Sequence, residues 1–395
     1  MRIMLVVGER ANWMKVTPLY RAIHRHNESH HALISPILVA IGKSYRRFES
    51  EEQFFDDLNL PKPDISLDPG TGHQEGGSGD VAYAFDQVLQ TFKPGFVLIV
   101  GDFNWALACT LTARKQKIPV GHIDAGFRTG DLDMPEETER RFADFLSDYL
   151  FTSDSGAVDN LIREGFQEER IYPVGNIQVD VLFSYLAKAA FSPVLNRFDL
   201  REGLEVRPFG VVSLHRFSNI DHYQTFRNIC EALFEVSKSL PLIFACTPHM
   251  EERIRSYGLE HLFGRSLLHE DRIIITQPLG HLDSLHLNAH ARLILTDSGF
   301  IQEEATIMGV PCLTLRDTTD RPITLTQGTN RLVGTESESI MEGFRMTMSD
   351  PERLYKKPEL WDGMAAERIV RILSEIDKKK RESEEEEVLA VPSWF

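Results

Sequence analysis

The stretch Leu295-Thr296-Asp297-Ser298-Gly299-Phe300-Ile301-Gln302-Glu303-Glu304-Ala305 decides how the chain is read. Residues 291–295 form a mostly apolar run that predicts a short buried strand. Asp297, Ser298 and Gly299 break it, and residues 301–308 predict a helix. A strand that stops at Ser-Gly and turns into a helix aims backbone N–H groups and a positive dipole end at whatever lies in the turn, a geometry suited to a diphosphate. Glu303 and Glu304, near the helix start, stand where sugar hydroxyls could be received. The plainer reading of these eleven residues is a strand–turn–helix with a serine cap, so the rest of the chain has to decide.

Outward from this stretch the same rhythm recurs. Toward the N-terminus, strands are expected at 2–7, 32–40, 96–100, 120–123, 149–152 and 171–174, with helices at 15–25, 49–58, 81–92, 105–116, 136–146 and 180–186. Residues 68–79 (DPGTGHQEGGSG) read as a mobile loop. Residues 190–208, with Pro193, Asn196, Gly203 and Pro208, read as a linker. The rhythm restarts with strands at 210–214, 242–246, 273–276 and 312–315 and helices at 223–239 and 281–289. A closing helix is expected at 361–376, followed by a solvated, disordered charge run at 377–395. Short continuous apolar strands alternating with helices predict parallel sheets covered on both faces. The expected fold class is therefore α/β, with two Rossmann-like doubly wound domains at 1–190 and 205–360 facing across a cleft.

Composition narrows the function. A chain of 395 residues is too long for one core, and its 42% hydrophobic and 26% charged content is that of a soluble globular protein. The net charge of −16 argues against a nucleic-acid surface. Cys109, Cys230, Cys246 and Cys312 lie in or beside apolar runs without pairing or metal spacing, as buried thiols of a reduced compartment do. The start, MRIMLVVGER, is too short an apolar run for a signal peptide or membrane span, so a cytoplasmic setting is expected. In doubly wound sheets ligands bind beyond the carboxyl ends of the strands. Arg10, Asp102, Asp124, His215 and Ser298 all sit at such ends, bringing a cation, carboxylates and an imidazole from both halves.

Six blocks carry a family likeness: 8–19 (GERANWMKVTPL), 101–104 (GDFN), 122–140 (HIDAGFRTGDLDMPEETER), 175–182 (GNIQVDVL), 214–221 (LHRFSNID) and 295–334 (LTDSGFIQEEATIMGVPCLTLRDTTDRPITLTQGTNRLVG). Together, and in this order, they resemble the non-hydrolysing UDP-N-acetylglucosamine 2-epimerases. The resemblance implies a GT-B fold, a homodimer, a UDP-sugar substrate, a place in polysaccharide biosynthesis, and no metal or nicotinamide cofactor. It implies inversion at the sugar C2 between UDP-GlcNAc and UDP-ManNAc, by loss and re-addition of UDP through 2-acetamidoglucal. Such chemistry needs donors for the departing diphosphate, carboxylates to remove and return the C2 proton, and exclusion of water.

Residue by residue, the resemblance makes Arg10 a phosphate ligand and Lys15 the lysine of the same motif. It makes Asp102, Asp124 and Glu136 catalytic carboxylates, with Arg140 closing the PEETER motif. His215 matches the catalytic-site histidine, accompanied by Arg216, and His249 matches a histidine beside the nucleotide. Ser298, Gly299 and Phe300 fall on the diphosphate turn, Glu304 on the ribose carboxylate, and Arg321 on a conformation-linked arginine.

Three departures stand out. Asp124 replaces the family's Glu, which retracts the carboxylate by roughly 1.5 Å, and misplacement of about 1 Å can cost on the order of a hundredfold in rate. Phe300 replaces a Gly. It is costly if that position needs positive φ and harmless to the N–H if the residue is already helical. Glu139 and Phe217 replace an Asn and, against one branch of the family, a Pro. These changes keep three rivals open: a hydrolysing 2-epimerase, a GT-B glycosyltransferase, and a UDP-sugar-binding protein without turnover.

Overall fold

Phe96–Val100 is five apolar residues long and wholly buried. Only a strand covered on both faces accommodates such a run, because neither face can carry a polar residue. The computed structural model describes residues 1–8, 10–29, 33–42, 55, 59–68, 78–101, 104–132, 134–263, 273–350 and 355–389. It divides into two units, Met1–Val181 with Glu359–Phe395, and Leu182–Pro358.

Unit 1 holds seven parallel strands: β1 (Arg2–Val7), β2 (Ser35–Ile41), β3 (Ile65–Leu67), β4 (Phe96–Val100), β5 (Val120–Ile123), β6 (Tyr149–Thr152) and β7 (Ile171–Pro173). Their order is β3-β2-β1-β4-β5-β6-β7, the Rossmann arrangement with its switch point between β1 and β4. The helices described here are α1 (Arg10–Ser29), α2 (Ser78–Phe92), α3 (Asn104–Lys115), α4 (Pro135–Leu146) and α5 (Ser155–Arg163). Asp154 caps α5 by accepting the Ala157 N–H at 3.1 Å. The helix expected at 49–58 and the loop at 68–79 fall largely outside the described residues, and α2 begins at Ser78.

Unit 2 repeats the topology. After α6 (Ile177–Ala189) the chain forms a two-stranded hairpin, β8 (Arg201–Glu202) with β9 (Glu205–Val206). A six-stranded parallel sheet follows: β10 (Gly210–Ser213), β11 (Leu242–Ala245), β12 (Ile273–Thr276), β13 (Leu293–Thr296), β14 (Cys312–Thr314) and β15 (Asn330–Leu332), in the order β12-β11-β10-β13-β14-β15. Its switch point lies between β10 and β13. Helix α7 (Tyr223–Ser237) shows why these segments fold as they do, since Phe226, Ile229, Cys230, Leu233 and Val236 recur at three- and four-residue spacing and are all buried. Its longer helices also include α8 (Pro248–Ser256), α9 (His281–His290), α10 (Gly299–Met308) and α11 (Ser337–Ser349).

Two expectations need correction. Residues 190–208 are not a linker: Val194, Leu195 and Leu200 join the unit 2 core, and the unit boundary falls earlier, between Val181 and Leu182. The closing helix is α12 (Ala365–Leu389), which runs well into the charge run expected to be disordered. Its Lys, Arg and Glu residues are good helix formers, and the pairs Arg381–Asp377 and Lys378–Glu382 stand four apart. Helix α12 packs on α1 in unit 1. Buried Trp361 donates to the Ser153 carbonyl at 3.0 Å, and Asp180 caps α12 by accepting the Ala366 and Ala365 N–H groups at 2.8 and 3.2 Å. Burial pushes the Asp180 carboxyl up to about 7 despite these two donors. All four cysteines are buried and free, and burial raises each thiol.

Candidate active site

In unit 2 the polar residues gather beyond the ends of β10 and β13, at the switch point. Asp297, fully buried, follows β13 and reaches across to the turn after β10. It accepts the N–H of His215 at 2.9 Å, the N–H of Arg216 at 3.1 Å and the side-chain amide of Asn219 at 3.0 Å. A carboxylate spent entirely on backbone and amide donors holds its neighbours in place. It fixes the start of the His215–Arg216 segment beside the start of α10. The His215 ring is exposed, its Nε2 lying 2.9 Å from the Ser213 hydroxyl.

Helix α10 starts at Gly299 with Ser298 as its N-cap, and the Ser298 side chain makes no cap hydrogen bond. Ser298 N–H instead donates to the Thr296 hydroxyl at 3.1 Å. Phe300 therefore lies in the helix's first turn and is not among the positive-φ residues. Of the two outcomes posed by the Gly-to-Phe change, the helical one holds, and the backbone N–H survives. The Phe300 ring takes a place beside Arg321, whose guanidinium carbon stands 5.8 Å from the ring centroid. Arg321 also packs on Gly299 so closely that a Cβ there would lie 2.9 Å from its Nε. The same arginine donates to Glu303 at 3.2 Å and is paired with Asp320. Glu303 thus faces Arg321, and Glu304 is buried beside it in sequence. Arg316 is a further buried cation, bonded to Asp320 at 3.2 Å. Burial lowers its pKa, as do the nearby Arg216 and Arg321 charges.

His249 lies near the N-terminus of α8, where Thr247 caps the helix by accepting the Met250 N–H at 3.3 Å. Its Nε2 stands 2.7 Å from Asp221, which also accepts from Arg253 at 2.8 Å. Those hydrogen bonds, with Arg253 foremost, hold the Asp221 carboxyl below the usual carboxylate range. Phe217, one of the departures, meets the His249 ring edge to face at 5.7 Å.

In unit 1 the residues sit beyond β5 and on α4. Asp124 follows β5 with a φ of +63°, in the left-handed region that Asp tolerates better than most residues. Its carboxylate is paired with Lys15 of α1, which is only 2% exposed. Glu136 and Glu137 open α4, where the dipole favours acids. They part company at once: Glu136 is half-buried, whereas Glu137 is wholly buried and accepts from Thr129 N–H at 2.8 Å and from Arg141 at 3.0 Å. Burial alone would raise the Glu137 pKa, but the Thr129 and Arg141 donors bring it below its usual value. Arg140 is buried on the same helix. Arg10 opens α1, its side chain and all of Asp102 lying outside the described residues. From the sequence, Asp297 is expected only to break a strand, Glu137 only to favour a helix start, and Asp144 has no expected role. Only Asp297 carried a signal, its place inside the strand–turn–helix stretch itself.

Residues 26–374 match the family described as UDP-N-acetylglucosamine 2-epimerase. The UDP-N-acetylglucosamine 2-epimerase of Methanocaldococcus jannaschii is 36% identical over 376 residues, covering 95% of this chain and 99% of that protein. A UDP-2,3-diacetamido-2,3-dideoxy-D-glucuronate 2-epimerase from Pseudomonas aeruginosa is 32% identical, covering 95% and 100%. Among solved structures, the M. jannaschii UDP-GlcNAc 2-epimerase in complex with UDP-GlcNAc and UDP is similar with a TM-score of 0.81 at 34% identity, over 95% of this chain and 99% of that one.

Proposed function

The chain belongs to the UDP-N-acetylglucosamine 2-epimerase family, and from that premise we propose that it interconverts UDP-GlcNAc and UDP-ManNAc. The reaction removes the C2 proton and breaks the C1–oxygen bond, so that UDP departs and 2-acetamidoglucal remains. A proton then returns to the opposite face of C2 as a UDP oxygen re-forms the bond to C1. Unit 2 takes the diphosphate on the first-turn N–H groups of α10, with Ser298, Gly299, His215, Arg216 and Arg321 as donors. Positive groups fixed beforehand where charge develops are what a departing diphosphate requires. Glu304 takes the ribose, and His249 and Phe300 border the nucleotide. Asp124, Glu136 and Asp102 handle the proton, and Lys15, Arg10 and Arg140 supply positive charge around them.

The observation that carries this reading is Asp297 binding the His215–Arg216 segment to the start of α10. Incubation with UDP-GlcNAc followed by anion-exchange chromatography tests it. The expected result is a mixture of the two UDP-sugars without free sugar. Accumulating N-acetylmannosamine with UDP would mean hydrolysis, and binding without conversion would mean a sensor.

A second reading concerns the sugar. The diacetamido-glucuronate epimerase relative, together with Asp124 and Phe300, supports a UDP-HexNAc with a further substituent. A panel of UDP-sugars ranked by kcat/KM separates the two. The proposal extends to a cytoplasmic homodimer serving polysaccharide biosynthesis. Exposed Leu111, Phe142 and Phe145 on the adjacent helices α3 and α4 support the dimer. Among the described residues no helix is long and apolar enough to cross a membrane.

A further inference from the structure

Beneath the end of β5 in unit 1 lies a chain of paired charges that the roles above do not use, buried at His122, Asp144, Arg128 and Glu137 and reaching the surface at Glu164 and Arg141. Its centre is Asp144 of α4, which has no exposed surface. One oxygen stands 2.7 Å from His122 Nδ1, and the other accepts the Gly126 N–H at 3.0 Å and lies 2.8 Å from Arg128 Nη2. The other ring nitrogen of His122, a residue 1% exposed on β5, stands 3.1 Å from the carbonyl oxygen of Gly101 at the end of β4. Arg128 continues to Glu164 through two hydrogen bonds of 2.8 and 2.7 Å. Arg141 then joins Glu164 at 3.3 Å to Glu137 at 3.0 Å. Glu137 closes onto the Thr129 N–H, next to Glu136 in sequence.

The proton count on His122 follows from its partners. A carbonyl oxygen has no proton to give, so Nε2 must donate to Gly101. Asp144 already accepts from the Gly126 N–H and pairs with the permanent guanidinium charge of Arg128, so it meets the ring as a carboxylate. Nδ1 must therefore donate as well. A neutral imidazole has only one N–H, so this ring carries both. Among the described residues the resulting cation joins a balanced set, with His122, Arg128 and Arg141 against Asp144, Glu164 and Glu137.

We propose that His122 is a positioning residue, a permanent buried imidazolium that ties the end of β4 and the turn carrying Asp124 to α4, on which Glu136 stands. Asp124 sits between the two anchored points, His122 and Gly126. The Gly101 anchor is equally close, since a Cβ at that residue would lie 2.3 Å from Asn12 Nδ2 and its φ is +121°. A carboxylate that must meet a particular C–H bond needs its backbone fixed, because a shift of about 1 Å can cost on the order of a hundredfold.

This inference rests on the epimerase reading, so its test has arms that do not depend on activity. Nitrogen-15 NMR of histidine-labelled, ligand-free protein should show both His122 ring nitrogens protonated from about pH 6 to about pH 8, beyond the usual histidine titration. A neutral ring at pH 7 would overturn the proposal. In His122→Gln, which keeps one donor and no charge, hydrogen exchange at the Gly126 amide should rise at least tenfold. The kcat should fall by about a hundredfold, with the Kd for UDP unchanged. Wild-type exchange at Gly126, or wild-type kcat, would also overturn it. Should the variant not fold, the NMR result on the wild-type protein decides. A wild-type protein that never exchanges the C2 hydrogen would remove the epimerase reading while leaving the ring protonation and the Gly126 exchange as they are found.

Discussion

The two units share one topology and differ in what they place at their switch points. In unit 2 the ends of β10 and β13 offer donors: helix N–H groups, an exposed His215 and the arginines around Asp320. In unit 1 the loop after β5 and the start of α4 offer acids, one set half-buried or paired with Lys15, the other locked in the Asp144–Glu137 network. On the proposed reading, the same Rossmann scaffold supports anion binding in one unit and proton handling in the other. What differs is the loop chemistry, while the sheets that aim the loops stay alike.

The contrast between Glu136 and Glu137 gives the largest expected effect. Glu136→Gln should lower kcat by about 10²–10⁴-fold while leaving the melting temperature within error. Glu137→Gln should instead destabilise unit 1, since it breaks a buried charge network. Steady-state kinetics beside thermal denaturation read both, and a Glu136→Gln enzyme of full activity would erase the division of labour.

Next in size is Asp297→Ala, the counterpart in unit 2. It leaves the His215, Arg216 and Asn219 donors without their carboxylate. Leaving a buried donor unsatisfied costs about 1–3 kcal/mol, measurable by urea denaturation, and UDP binding should weaken in isothermal titration.

pH separates the networks further. The Asp144 and Glu137 pKa values are depressed in the fold, so their contribution is present above about pH 4 and lost as pH falls through the folded values. Asp180 has the opposite sign: raised to about 7, it contributes below about pH 4 and loses that contribution as pH climbs through 7. Asp180→Asn should therefore gain stability relative to wild type as pH rises from about 4 to about 7, the interval between the two pKa values. Melting curves across that interval measure it.

The smallest effect belongs to Phe300→Gly. It removes the half-buried ring beside Arg321, worth about 0.5–2 kcal/mol, and should alter KM by no more than about thirtyfold.

Much of the fold was legible because buried parallel strands are continuous apolar runs. In the two parallel sheets the unexpected strands are β3 and β15, three residues each at the sheet edges, where side chains remain partly exposed and the apolar signal thins. Helix α5 had its signal in the Asp154 cap but lacked a long apolar stripe. Residues 190–208 looked like a linker because Pro and Gly punctuate them, yet Val194, Leu195 and Leu200 anchor them in a core. That Asp124, His215 and Ser298 follow strands was readable from position. The role of Asp297 was not, since its His215 partner lies 82 residues away. Nor was Asp144, which sits in RRFADFL as a surface acid would and is buried only by the tertiary fold.

In the proposed reaction, acids of unit 1 remove and return the hydrogen at the sugar C2 while UDP departs. Proton NMR of the enzyme with UDP-GlcNAc in deuterated water tests it most directly. Deuterium at C2 of both recovered UDP-GlcNAc and newly formed UDP-ManNAc is the predicted result. Conversion that leaves C2 unlabelled would contradict it.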